Sequence, residues 1–147
     1  MNILIIGYGN TLRNDDGVGV RVAEIIEGKN YPDTRVITAH QLTPELSEDI
    51  AGCDLVIFVD AVFSDRPEIQ IENLESSGDW KNLGHAENPR SLLAFTRSIY
   101  QKTPIARGVY IPAVNCDFGE ELSEVTSKGM EGAIKAIGEI IHSYLPG

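Results

Sequence analysis

Bases are scarce in this chain: 12 lysines and arginines stand against 22 aspartates and glutamates, a formal charge of −10. No cluster of basic residues supplies the electrostatic footprint that nucleic-acid binding needs. Cysteine is scarcer still. Cys53 and Cys116 lie too far apart for a CxxC redox motif or a zinc knuckle, so both read as small, structural hydrophobes. No apolar run approaches the roughly 18 residues of a membrane span. Met1-Asn2 lacks the basic region of a signal peptide, and Gly7 cuts the first apolar run short. These absences together predict a cytoplasmic protein without nucleic-acid or membrane partners. Neither GxSxG nor GxxxxGK[ST] occurs, which removes the strongest signatures of a serine hydrolase elbow and a P-loop.

What is present is a 147-residue chain, 42% hydrophobic, of a length that suits one domain spanning 1–147. Its patterning alternates strand and helix. Residues 2–7 read as a buried strand, and residues 15–28 as a helix closed near Gly28. Thr34 to Ala39 form a second strand. Thr43-Pro44-Glu45 then offers an N-cap and a first-turn proline for a short helix ending near Ala51. Residues 54–60, DLVIFVD, are apolar without alternation, as expected of a strand covered on both faces. Pro67 to Leu74 alternates and reads as a half-exposed edge strand. The short connection after Asp60 favours antiparallel placement of that edge, since a parallel return needs a longer crossover. A polar loop, 75–87, contains Trp80 and His85. Asn88-Pro89 opens a helix, residues 107–113 form a further strand, and Ser123 opens a long final helix. The expected fold is a three-layer α/β/α domain around a five-stranded, mostly parallel sheet with one antiparallel edge strand.

Ligands in such sheets bind outside the carboxyl ends of the parallel strands. There the sequence GYGNTLRNDDGVG, residues 7–19, joins the first strand to the first helix. Gly7, Gly9 and Asn10 allow a close backbone approach. A phosphate cradle is a poor reading, because the third glycine of a dinucleotide fingerprint is missing and Asp15 and Asp16 would repel phosphate. The helix dipole accounts for one aspartate near a helix start, but not for Gly7, Gly9 and Asn10 in the loop before it. His40-Gln41 follow the second strand, Asp60 ends the third, and His85 precedes a helix. Asp60 either caps a turn or does chemistry. Carboxylates and an imidazole gathered at one edge would suit a divalent transition ion with open positions.

The stretches ILIIGYGNTLRNDDGVGV and LVIFVDA, with a histidine ahead of the ENPRSLLAF helix, resemble the hydrogenase maturation proteases along nearly the whole chain. The resemblance implies an endopeptidase that removes the C-terminal peptide of a [NiFe]-hydrogenase large-subunit precursor after nickel insertion. GHxxxP and FGEELS are most similar to the subgroup serving bidirectional, NAD-linked hydrogenases. The family's metal-binding positions fall on Asp16, where many relatives have glutamate, on Asp60 and on His85. Asp15 takes the place of a supporting acid. His40 stands where relatives often have an acid, and is a fourth ligand, a supporting donor or a turn histidine, the last two combined being the favoured reading. The implied metal is nickel carried by the precursor, and the implied partner is that precursor, engaged by a monomeric enzyme. The glycines would then shape a turn around a cation and an incoming peptide. Either nickel activates water, or Asp16 and Asp60 do so as base or proton-sharing dyad. A non-catalytic chaperone that checks nickel insertion would use the same ligands.

Overall fold

The alternating pattern resolves into one mixed sheet flanked by helices in a computed structural model, which describes residues 1–75 and 88–145. Its elements are β1 (Ile3–Tyr8), a 3-10 turn (Asn14–Gly17), α1 (Val18–Gly28), β2 (Thr34–Ala39), α2 (Leu46–Ala51), β3 (Leu55–Phe63), β4 (Gln70–Leu74), α3 (Pro89–Tyr100), β5 (Ile105–Ala113) and α4 (Glu124–Tyr144). The sheet order is β2-β1-β3-β5-β4. All neighbours run parallel except β4, which is antiparallel to β5. Two crossovers in opposite directions from β1 leave a switch point between β1 and β3, where their carboxyl ends diverge.

Each central strand feeds both faces, because consecutive side chains point to opposite sides. Ile3, Ile5, Ile57, Val59 and Ile111 pack with Val22 and Ile26 of α1 and Ile137 and Ile141 of α4. Leu4, Ile6, Val56 and Phe58 pack with Ile50 of α2 and Leu92 and Leu93 of α3. That is why DLVIFVD carries no alternation.

Four sequence expectations shift in detail. The first helix is divided: Asp15 and Asp16 lie in the 3-10 turn, and α1 proper starts at Val18. The short helix starts at Leu46, because Thr43 and Pro44 form a turn in which Leu46 and Ser47 donate to the carbonyls of Thr43 and Pro44. β3 does not end at Asp60; it runs to Phe63, since β5 stays paired with it as far as Ala113. β4 is antiparallel as expected, yet it reaches its place across β5. The nine-residue β5 occupies the free edge of β3 completely, so the outer edge of β5 is what remains for β4. The caps stand: Asn88 accepts from the Ser91 N–H at 2.9 Å and Ser123 from the Thr126 N–H at 3.3 Å.

The most consequential tertiary contact is made by Asp15, which is fully buried. Its Oδ2 accepts from the N–H groups of Val114 (2.9 Å) and Asn115 (3.0 Å) and from Ser123 Oγ (2.9 Å), while Oδ1 accepts from the Ser123 N–H (2.7 Å). Asn14 adds a second tie, donating from Nδ2 to the Asp117 carbonyl and accepting at Oδ1 from the Glu121 N–H, both at 3.0 Å. The loop after β1 is thereby locked to the loop between β5 and α4. Replacing Asp15 with Ala strands several buried donors, each costing about 1–3 kcal/mol. Asp15→Ala is therefore expected to lose about 3 kcal/mol or more of stability, measured by urea unfolding. Asp15→Asn should recover only part of it, because one carboxylate oxygen becomes an NH2 facing donors.

Candidate active site

The locked loop sets the position of Asp16. Gly9 has φ 139°, a conformation suited to glycine, and a Cβ there would fall on the Asp16 carbonyl oxygen. A Cβ on Gly7 would collide with the Gly19 carbonyl and approach the Ala23 Cβ to 2.5 Å. The close approach that these glycines allow is thus made first by the protein's own backbone, drawing α1 and the 3-10 turn onto the end of β1. Asn10 shapes the same turn. Its Oδ1 accepts from the Leu12 N–H at 2.9 Å, and its own N–H donates to Asp16 Oδ2 at 2.8 Å.

Asp60 arrives from the other side of the switch point. Gly7 pairs with Val59, so Tyr8 and Asp60 follow as neighbours on β1 and β3. Asp60 Oδ1 accepts from the Ala61 N–H at 2.8 Å. Its carboxyl is pushed up to about 7, foremost by burial, with the negative charge of Asp16 adding to the rise; the Ala61 N–H and the Tyr8 hydroxyl, which donates to it, act in the opposite direction. Asp60 thus lies inside a paired strand rather than at a turn. Near neutral pH Asp60 is available in both protonation states beside a second carboxylate.

Asp15 behaves oppositely. Burial alone would raise its carboxyl, but the hydrogen bonds from Ser123, Val114 and Asn115 outweigh burial and hold it below the ordinary range. It is a tie, and its oxygens face inward. His40 is exposed at the carboxyl end of β2, beside a depression of about 240 Å³ lined with Gly9, Thr11, Val20, Thr38 and Ala39. His85 and Trp80 lie outside the described residues. Among the described residues, no group of three or more His, Cys, Asp or Glu side chains gathers in a way that could hold a metal ion. The structure therefore brings Asp16 and Asp60 together and sets Asp15 behind them.

Two tyrosines and a thiol escaped the sequence reading. Tyr8 is buried, and its phenol is raised by that burial and by the Asp60 charge. Tyr110 pairs with Asp60 across β3 and β5, and is raised by burial and then by Glu72. It is the register between strands that places them beside a carboxylate. Cys116 is half-buried, with its thiol raised by burial and by the charges of Asp16 and Asp15. Cys53 is the packing thiol expected: it donates to the Ile50 carbonyl at 3.2 Å, and burial pushes it up to about 12.

The fold and site define a class: an α/β domain with two carboxylates at the carboxyl-end switch point of its sheet. No family model matches the chain. A protein of Methanocaldococcus jannaschii, provisionally named a hydrogenase maturation protease, is 28% identical over 156 aligned residues, 95% of this chain and 96% of that protein. The hydrogenase 2 maturation protease of Escherichia coli K12 is 35% identical over 68 residues, 45% of this chain and 42% of its own. Among solved structures, the [NiFe] hydrogenase maturation protease HybD of Thermococcus kodakarensis superimposes with a TM-score of 0.77 at 22% identity, covering 96% of this chain and 99% of that one. The chain's homologues and structural neighbours are thus named hydrogenase maturation proteases, and the α/β architecture is shared with them.

The raised carboxyl of Asp60 has a consequence for stability. Between about 4 and 7 the folded protein keeps a proton that the unfolded chain has released, so this group's contribution falls as pH rises through that window and levels off above it. Asp60→Asn removes the dependence. Its melting temperature relative to wild type should rise from pH 4 to pH 7 and then stay constant; a difference independent of pH would contradict the assignment.

Proposed function

We propose that the chain is an endopeptidase that removes the C-terminal peptide from the precursor of a [NiFe]-hydrogenase large subunit once nickel has been inserted. The observation that carries the reading is the pairing of Asp16 with Asp60 at the switch point, one of them poised near neutrality. The full-length likeness to a protein provisionally named a hydrogenase maturation protease, and the fold shared with another of that name, support an endopeptidase of hydrogenase maturation. The GHxxxP and FGEELS stretches favour a substrate of the bidirectional, NAD-linked class.

Nickel is read here as cargo of the precursor. Two carboxylates, one from the turn after β1 and one from β3, are oxygen donors suited to a divalent ion, and they leave coordination positions for groups brought by the substrate. His85 is the third ligand that the resemblance implies. When bound, the ion would polarise the scissile carbonyl as a Lewis acid. Asp60 would take a proton from the attacking water as hydroxyl adds to the carbonyl carbon. It would return that proton to the departing amine as the C–N bond breaks. Asp16, held by the Asn10 N–H, would fix the substrate's position.

The direct test mixes metal-stripped enzyme with nickel-loaded and with metal-free precursor and follows precursor mass. Loss of the C-terminal peptide from loaded precursor only is expected. Equal cleavage of both would remove nickel from the reading, and stable binding without any mass decrease would favour the nickel-checking chaperone. Asp60→Asn should fold with an unchanged circular dichroism spectrum and lose processing by at least about 100-fold, the scale of a general acid–base contribution.

No thiol is assigned a covalent role, so a Cys53→Ala/Cys116→Ala double variant should keep processing within about threefold of wild type, given that thiol nucleophiles need a lowered pKa and both are raised. A folded double variant that has lost cleavage would reopen a cysteine mechanism.

A further inference from the structure

At the carboxyl end of the sheet, one row of residues runs from strand to strand. Tyr8 pairs with Ala39, Asp60 with Tyr110, and Tyr110 with Gln70. Tyr8 and Asp60 each follow the Gly7–Val59 pair, which joins the two halves of the row. They also share a face. Tyr8 packs with Leu4, Ile6, Val56 and Phe58, whereas Val59 and Ala61, which flank Asp60, belong to the core on the opposite side of the sheet. Because side chains alternate along a strand, the Asp60 carboxyl stands on the Tyr8 side.

Tyr8 is 7% exposed, and a buried phenol needs a partner for its hydroxyl. That partner is Asp60, and burial keeps the phenol protonated and able to donate. Tyr110 flanks Asp60 on the other side but lies back along its own strand: a Cβ on Gly108 would meet its hydroxyl oxygen at 2.5 Å. Of the two tyrosines in the row, Tyr8 is the donor to Asp60. The Ala61 N–H binds one oxygen, Oδ1, and alone would be a pivot about which the carboxylate can turn. A second donor, from a neighbouring strand, removes that freedom. Two of the carboxylate's roughly four acceptor positions are then filled from within the protein, and the others remain for the reaction.

We infer that Tyr8 is a positioning residue for Asp60: with the Ala61 N–H, its hydroxyl fixes the plane of the carboxylate that takes a proton from the attacking water. The inference rests on the proposed proteolytic function, in which Asp60 is the base. A base acts only within hydrogen-bond reach of the proton it takes, so a carboxylate free to turn costs rate and leaves substrate affinity untouched. Within GYGN, Gly7, Gly9 and Asn10 shape the turn, and the residue between the glycines acquires a separate task from the strand register.

The test compares wild type with Tyr8→Phe, which keeps the ring and removes only the donor, in cleavage of nickel-loaded precursor. The variant should lose at least about tenfold in kcat while KM stays within about threefold. Replacing Tyr8 by 4-aminophenylalanine, which keeps the ring and supplies an N–H donor in place of the hydroxyl, should restore kcat to within about threefold of wild type. A second readout needs neither substrate nor metal. With aspartate carrying ¹³C at Cγ, the Asp60 resonance (the one lost in Asp60→Asn) should shift in Tyr8→Phe at a pH well above 7, where Asp60 is ionised in both proteins. In tyrosine-labelled protein the Tyr8 Cζ resonance should shift in Asp60→Asn, a check that holds even if Tyr8→Phe does not fold. Unmoved resonances, an unchanged kcat in Tyr8→Phe, a loss carried by KM alone, or an equal loss with 4-aminophenylalanine would each overturn the positioning role. Resonances that move as expected in a wild type that never cleaves precursor would overturn the proteolytic reading and leave the orientation of Asp60 by Tyr8 standing.

Discussion

A single buried carboxylate holds the working edge of this protein together. Asp15 accepts hydrogen bonds from two backbone amides at the end of β5, and from the backbone and hydroxyl of the residue that caps α4. Two loops more than 90 positions apart in sequence are thus joined through one side chain. A charge without such partners would be costly in that position; with them it is kept ionised and becomes rigid. Asn14 repeats the tie from the preceding residue. Everything beyond β1 on this edge, including the bearing of Asp16, depends on that connection.

The division of labour between adjacent aspartates follows from one residue's difference in position. Asp15 faces into the β5–α4 loop and is satisfied four times over. Asp16, next along the 3-10 turn, faces the switch point and is held by the Asn10 amide. Across from it, Asp60 sits within a paired strand, where burial and a neighbouring negative charge raise its proton affinity. Pairs of carboxyls whose environments push their protonation apart are a recurrent basis for acid–base chemistry. Here the rise at Asp60 comes from its placement in the sheet, where burial and the nearby Asp16 charge disfavour its ionised form.

The glycines of the first motif show how a functional signature can also be a packing requirement. Gly7 and Gly9 make room for the backbone of α1 and of the 3-10 turn. That packing sets where Asp16 projects, so the motif shapes the site through the protein's own chain. Tyr8 lies between the two glycines and donates its hydroxyl to Asp60. A residue that resembles strand filler is therefore part of the carboxylate's surroundings.

Much of the architecture was legible in the sequence, since it depends on local periodicity and caps. The unbroken apolar run before Asp60 requires cover on both faces, and Asn88 and Ser123 mark helix starts by the chemistry of their side chains. The resemblance carried by GYGNTLRNDDGVG and LVIFVDA singled out Asp16 and Asp60. Pairing was not legible. Whether β4 lies against β3 or β5, how far β3 continues past Asp60, and which tyrosines adjoin a carboxylate are decided by register between distant strands. The opposite roles of Asp15 and Asp16 were hidden for the same reason. Two identical side chains in succession have the same intrinsic chemistry, and only the distant donors that the fold delivers to one of them make the first a tie and leave the second for the site.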